Sequence, residues 1–472
     1  MSELIAKIRE IVGASGLLQG DAVGQRSDSW PPAGGCRALA IVRPASTAEV
    51  SAVLRLCHAA GQSVVTHGGL TGLVGGGKTT ADDLVLSLER MTAIEPVDRD
   101  NRTVTVDAGA PLQKVHEAAE AAGLLFPLDL GARGTATIGG TISTNAGGNS
   151  VIRYGMIREQ VLGVEAVLAD GTVISSMNNV IKNNTGYDLK QLFVGSEGTL
   201  GVVTRAVLRL RPLPRSCNTA LVGLDSFDAL SAFLRNMDAA LGGTLSAFEV
   251  MWNDFWKLLV AADDRHGQPL GAAHAFYVLL ESTGGHEAGD RERFEEALHE
   301  AFEQGLIGDA VLAQSRQQRQ ELWAIRDDIE TMFTRLYPPI AFDVSLGIPL
   351  MEDYVREVRS ALTALWPAAR MVTFGHLGDG NLHLVLTVGS LDPEQVHTVE
   401  KIVYEALGRR GGVISAEHGI GLQKRAYLRH SRSAEEVALM RTLKAALDPK
   451  NILNPGKILG RVPGDTGMGA SP

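Results

Sequence analysis

The sequence predicts an α+β protein of more than one domain, and three observations carry that reading. A β-α-β opening runs directly into a glycine-rich loop. The glycine clusters stop before a pair of prolines, Pro212 and Pro214. Past about residue 216 the pattern changes to long helices between strands that pair antiparallel. At 472 residues the chain exceeds one compact core, so two or three domains are expected.

The elements follow in order. An opening helix leads to a strand over 38–42, ended by Pro44. Ser46 with Glu49 makes a capping box for a helix that carries Val50, Val53, Leu54 and Cys57 on one face and stops at Gly61. A second strand over 64–66 enters the loop His67 to Gly77. Strands are expected over 84–88 and 103–106, and Pro111 starts a helix that Gly123 stops. A second glycine-rich stretch covers 127–155. Asp170-Gly171 then turns a hairpin between 164–168 and 172–174, and a strand over 200–210 ends the first half. In the second half strands are expected over 245–250 and 276–280, helices over 316–335 and 393–410, and a hairpin over 371–388. Helices on one face of an antiparallel sheet fit this pattern. The tail after Arg461 has the composition of a disordered segment.

A net charge of −10 excludes a general basic field for nucleic acid while leaving room for local Arg clusters. No apolar run approaches the ~20 residues of a membrane span. Met1-Ser2-Glu3-Leu4 lacks a basic region followed by an apolar one, so a cytoplasmic location is expected. Cys36, Cys57 and Cys217, odd in number and widely spaced, suit reduced thiols.

Gly72-Leu73-Val74-Gly75-Gly76-Gly77-Lys78-Thr79 spells a phosphate-binding P-loop letter for letter. That loop works by opening a helix whose amides face the phosphates. Here a strand pattern follows, which argues against a nucleotide triphosphatase. Six glycines from Gly68 to Gly77 still leave backbone amides bare for an anionic ligand. The second stretch offers Gly131, Gly134, Gly139, Gly140, Gly147 and Gly148, interleaved with Thr135, Thr137, Ser143, Thr144 and Asn145. Either loop alone reads equally well as tight turns. Two together suit a long ligand with a pyrophosphate in its middle, such as a dinucleotide.

The strongest chemical signal lies at His376-Leu377-Gly378-Asp379-Gly380-Asn381-Leu382-His383, answered by Glu417-His418. A turn at Gly378-Asp379-Gly380 folds the two arms together, so both imidazoles converge. Two histidines and a carboxylate are donors for a divalent metal that keeps a position open. In an extended segment Glu417 and His418 point opposite ways, which gives them different roles: third ligand and free base. Taken singly, the histidines also read as hairpin surface residues and Glu417-His418 as a solvated pair.

In these segments the chain resembles flavoproteins of the vanillyl-alcohol oxidase and p-cresol methylhydroxylase type, and among them the FAD-dependent D-2-hydroxyacid dehydrogenases. The resemblance rests on 67–76, 127–131, 138–148, 184–189, 195–201, both metal segments and Leu453-Asn454-Pro455, in the same order. It implies a two-part FAD-binding domain, 35–215 completed by 426–461, around a substrate or cap domain over 216–425. A helical segment, 1–34, precedes them and the tail, 462–472, follows. The resemblance places FAD on Thr66, His67, Gly68, Gly69, Leu70, Thr71, Gly72 and Gly75. It adds Pro127, Leu128, Asp129, Gly131, Thr135, Ile138, Gly139, Gly140, Ser143, Thr144, Asn145, Gly147, Gly148 and Gly155 from the second stretch. Glu197, Gly198, Val202, Val203 and Asn454 complete the set. Leu70 stands where some relatives tether the flavin through histidine, so FAD is expected to be non-covalent.

The same resemblance implies zinc, or Mn²⁺ or another divalent ion, on His376, His383 and Glu417. The metal would bind the 2-hydroxyl and carboxylate of a D-2-hydroxyacid, His418 would take the hydroxyl proton, and the C2 hydride would pass to the flavin. Arg326 and Asn381 fall where substrate contacts are expected; Arg326 alternatively pairs with Glu330 along its helix. D-2-Hydroxyglutarate is the leading substrate, with D-lactate, D-malate or an aryl-lactate as alternatives. Glu330 and Ala341 depart from the pattern that receives a second carboxylate, and Arg335 and Lys424 are the cations left to compensate. An electron-transfer flavoprotein, a cytochrome or a quinone would reoxidise the flavin, and a homodimer is expected. Two other readings stand: a colourless 2-His-1-carboxylate iron oxygenase, and a flavin or anion binder without catalysis.

Overall fold

The computed structural model describes residues 2–30, 34–262 and 264–460; the expected disordered tail, 462–472, lies outside them. The opening helix Ser2–Val12 leads to a four-stranded sheet in the order Leu17–Leu18, Ala40–Val42, Leu84–Ser87, Val64–His67. Its last three strands run parallel, and the helix Thr47–Ala60 connects two of them. Ser46 caps that helix by accepting the Glu49 N–H, while the Glu49 carboxylate reaches back to the Ala45 N–H, one residue short of a reciprocal box. Gly61 ends it in the left-handed conformation at φ 65°. Pro111 caps the helix Leu112–Ala121 instead of opening it.

A second four-stranded sheet is antiparallel, in the order Thr103–Asp107, Val202–Arg209, Val161–Val167, Val173–Ser176. The two sheets and their helices share one apolar core, which also takes in Ile452 and Leu453 from the far end of the chain. Leu453 bridges Val64, and the Asn454 Oδ1 accepts the Thr66 N–H at 2.9 Å. The last segment therefore returns to the strand that enters the first glycine loop.

Between these parts lies a seven-stranded antiparallel sheet in the order Asp309–Leu312, Ser216–Leu224, Phe276–Gly284, Leu245–Trp252, Arg370–His376, Asn381–Thr387, Ile340–Ser345. Helices cover both of its faces, not one. The helices Phe227–Leu241, Glu287–Glu303, Met351–Leu365 and Pro393–Gly408 pack on one side. Phe255, Trp256, Leu322, Ile325 and Met332 pack on the other, where Trp256 stacks on Tyr277 at 3.9 Å. The strands read as almost unbroken apolar runs for this reason. The helix expected over 316–335 is two: Arg316–Arg326 and Ile329–Arg335. Asp328 interrupts it by accepting the Thr331 N–H, a cap that starts the second piece.

The P-loop pattern opens no helix. Thr79 gives its N–H and hydroxyl to Asp28 at 2.9 and 2.7 Å, and the strand Leu84–Ser87 follows.

Candidate active site

Strand register builds the site. In the antiparallel sheet Glu249 pairs with His376 and Asp343 pairs with His383, so two buried carboxylates lie opposite the two histidines. The turn at Leu377–Asp379, closed by Gly380 at φ 82°, folds the two arms together. The imidazole centroids of His376 and His383 are 5.3 Å apart. Glu417 arrives from a separate loop. Its Oε1 is 3.9 Å from the Nε2 of His376, 3.9 Å from that of His383 and 3.8 Å from that of His418.

Glu417 and His418 thus face one cluster and do not point apart. Their backbone is bent, not extended, because both N–H groups donate to a single oxygen, Asp343 Oδ2, at 3.0 and 2.9 Å. The same oxygen lies 3.7 Å from His418 Nδ1. Burial alone would raise the Asp343 carboxyl, but His418, Lys424 and His383 around it and the Glu417 N–H hold it far below the usual range.

Glu249 accepts from His376 Nδ1 at 2.6 Å and from Arg326 Nε at 2.8 Å, and is wholly enclosed. Burial disfavours a charged His376, yet the Glu249 carboxylate outweighs it and pushes the imidazole up to about 9. Burial, then the positive His376, depress His383 well below its ordinary value. Neither carboxylate was anticipated from the sequence. Each is a lone acid inside a buried apolar strand, Leu245–Trp252 or Ile340–Ser345, and an acid there needs a partner.

The donor set fits a divalent ion. Bonds of 2.0–2.2 Å in tetrahedral geometry put ligand atoms roughly 3.4 Å apart, about half an ångström tighter than the approaches to Glu417. His376 and His383 each have a carboxylate behind Nδ1, the arrangement that fixes the tautomer of a ligating imidazole. Asp343 Oδ1 is buried without a hydrogen bond and lies 4.0 Å from His383 Nδ1, a short shift from accepting it.

His376, His383, Glu417 and His418 open onto one cavity of about 1060 Å³, which the two glycine-rich stretches also line. Its size exceeds the roughly 300–1,000 Å³ of ordinary small-molecule pockets and suits a dinucleotide with a substrate. Thr66, His67, Gly68, Gly69, Leu70, Thr71, Gly72 and Gly75 line it, with Asp129, Gly131, Gly139, Gly140, Ser143, Thr144, Gly147 and Gly148. Gly198, Val202, Val203 and Asn454 do as well. Among the described residues the buried Thr66 hydroxyl has no hydrogen-bond partner. Pro127, Leu128, Thr135, Ile138, Asn145, Gly155 and Asn381 do not line the cavity. Leu128 and Ile138 are core residues, Thr135 gives its hydroxyl to Ala132, and Asn145 is held by Arg158 and Met156.

Glu197 lines the cavity, but its carboxylate accepts the N–H groups of Ile420 and Gly421 at 2.7 and 2.8 Å. Arg326 lines it too, buried over the Phe374 ring at 4.8 Å and paired with Glu249, not with Glu330. Asn381 is buried with its Oδ1 unpartnered. Of the compensating cations, Lys424 is spent on Ser415 and Asp343, and Arg335 donates to the Leu258 carbonyl in a different pocket.

Glycine loops, interdomain cavity and a seven-stranded cap define a flavin-dependent oxidoreductase. The chain matches the family of FAD linked oxidases, C-terminal domain, over residues 213–458 and the FAD binding domain over 38–176, and it belongs to this family. Within it, the chain is 42% identical to the D-2-hydroxyglutarate dehydrogenase of Xanthomonas citri pv. viticola, over 91% of this chain and 90% of that one. It is 39% identical to a probable mitochondrial D-2-hydroxyglutarate dehydrogenase of Oryza sativa subsp. indica, covering 97% and 82%. A putative mitochondrial D-lactate dehydrogenase of Schizosaccharomyces pombe is 38% identical, covering 88% and 81%. Among solved structures, alkyldihydroxyacetonephosphate synthase superposes with a TM-score of 0.77 at 16% identity, covering 96% and 86%. p-Cresol methylhydroxylase superposes with a TM-score of 0.74 at 16% identity, covering 97% of each chain. These two share the fold.

Proposed function

We propose that the chain oxidises a D-2-hydroxyacid to the 2-oxoacid, with His376, His383 and Glu417 holding a divalent metal, zinc in this reading, beside non-covalent FAD. The observation that carries it is the convergence of three imidazoles and Glu417 in the cavity that the two glycine-rich loops line. When bound, FAD supplies the acceptor for the C2 hydride and the metal supplies Lewis acidity toward the 2-hydroxyl. His418 takes the hydroxyl proton at Nε2, the ring atom that faces Glu417, while Asp343 backs its Nδ1. Arg326, held at Nε by Glu249 and with its Nη2 3.5 Å from His376 Nε2, offers its remaining N–H groups to the substrate carboxylate. Phe374 under that guanidinium keeps it in plane.

The names of the relatives favour D-2-hydroxyglutarate. One observation favours a monocarboxylate instead. Ala341 pairs with Val385, one step along the sheet face from Asp343 and His383, and with Ile329 and Phe333 forms an apolar stretch of cavity wall, while Arg133, Arg316 and Arg319 line other parts of the same cavity. Anaerobic mixing of the yellow protein with D-2-hydroxyglutarate, D-malate, D-lactate and an aryl-lactate decides between them. Bleaching by D- and not L-acids supports the reaction; bleaching by none overturns it.

A further inference from the structure

The loop that carries Glu417 and His418 belongs to the cap, yet its far side rests on the cofactor half. Glu197 receives the N–H groups of Ile420 and Gly421, one on each carboxylate oxygen. Beside it the Leu422 N–H donates to the Val74 carbonyl of the first glycine loop at 3.0 Å. Both approaches demand glycine. A Cβ on Gly419 would lie 2.8 Å from Glu197 Oε1, and one on Gly421 would lie 2.2 Å from the Val74 oxygen. Their φ angles, 83° and 51°, belong to the left-handed region.

Glu197 is itself pinned. It adopts φ 50°, its N–H donates to the Ser143 carbonyl at 2.8 Å, and its own carbonyl accepts from Asn454 Nδ2 at 2.6 Å. Asn454 in turn holds the Thr66 N–H. Three cofactor-side hydrogen bonds therefore fix the Glu197 backbone, and its side chain accepts from two amides just beyond His418.

We propose that Glu197 is a positioning residue that docks the Glu417–His418 loop on the cofactor half and so sets the third metal donor and the base over the flavin site. The inference rests on the metal reading given above. Asp343 fixes the loop at residues 417 and 418 from the cap side, and Glu197 fixes it at 420 and 421 from the opposite side. Two carboxylates on two domains thereby clamp one five-residue turn. Released at one end, the turn keeps its fold but loses its place relative to His376 and His383.

The test is Glu197→Gln in the full-length FAD-loaded protein, because an amide offers one acceptor and sets an N–H₂ against the other backbone donor. Metal affinity by chelator competition is expected to fall about 10-fold or more, with flavin content and melting temperature retained. At saturating metal kcat falls while KM changes little. Amide exchange at Ile420 and Gly421 accelerates in the variant. Parental metal affinity, kcat and exchange overturn the proposal. Lost flavin with parental metal affinity overturns it equally, since Glu197 then serves the cofactor. Where Glu197→Gln does not fold, Glu197→Asp takes its place, with smaller shifts in the same directions, and a folded Glu197→Asp of parental behaviour is contrary evidence. A parent chain that binds no metal sinks the metal reading, while the exchange rates still decide for Glu197.

Discussion

Glu249→Gln isolates what a buried carboxylate does for the candidate metal centre. Glu249 is fully enclosed and holds His376 Nδ1 at 2.6 Å and Arg326 Nε at 2.8 Å. Truncation to alanine would leave the Arg326 guanidinium, only 5% exposed, without its counterion, a loss of about 3–5 kcal/mol. Glutamine keeps the shape. Its oxygen satisfies one partner and its N–H₂ opposes the other, so the stability loss is smaller, about 1–3 kcal/mol for one unsatisfied donor. The larger effect falls on the metal. Without the carboxylate His376 loses the anion that fixes its ligating tautomer, and affinity drops about 10–100-fold, or roughly 1.4–2.8 kcal/mol. Chelator competition measures the metal affinity and urea unfolding the stability. A Glu249→Gln protein with parental metal affinity would refute the reasoning, because the 2.6 Å contact would then be structural only.

Three other outcomes are expected. His418→Ala keeps flavin and metal but lowers kcat by about 10²–10⁴-fold, measured as the rate of anaerobic flavin bleaching. Gly69→Ala gives flavin-poor protein by absorbance, because a Cβ there would lie 2.0 Å from the Thr135 carbonyl and force the two glycine loops apart. Burial depresses His67 from 6.5 to about 4 while its Nε2 donates to the Gly77 carbonyl at 2.8 Å. The unfolded chain therefore takes up the proton first. Stability from His67 is complete above pH 6.5 and is lost as pH falls toward 4, to at most about 3 kcal/mol. Urea unfolding across that window should show the loss in the parent and a flatter profile in His67→Asn.

Much of the site was legible because its signals are local. The glycine loops, the His376–His383 turn and Glu417-His418 each fit within about a dozen residues, and turn chemistry alone folds the hairpin. What escaped depends on strand register and on contacts between domains. Nothing near Glu249 or Asp343 in sequence points to a histidine; the pairing across strands supplies it. The direction of Glu417 and His418 was misread for the same reason, since Asp343, from another strand, bends the segment. Glu197 was grouped with the cofactor residues by its place in a glycine motif, while its carboxylate faces the other domain. The split at Asp328 was available in principle, because an Asp three residues before Thr331 is a cap signal. Helical periodicity ran through it undisturbed, and with it went the evidence that both sheet faces are covered.

The central claim is that a metal on His376, His383 and Glu417 and a base at His418 act together on a 2-hydroxyacid beside the flavin. Anaerobic stopped-flow bleaching of the flavin by the best D-2-hydroxyacid, before and after chelation and again after zinc is restored, tests it most directly. The account predicts fast bleaching that slows with C2-deuterated substrate, disappears on chelation with the flavin still bound, and returns with zinc. Undiminished bleaching by the chelated, metal-free protein would contradict it.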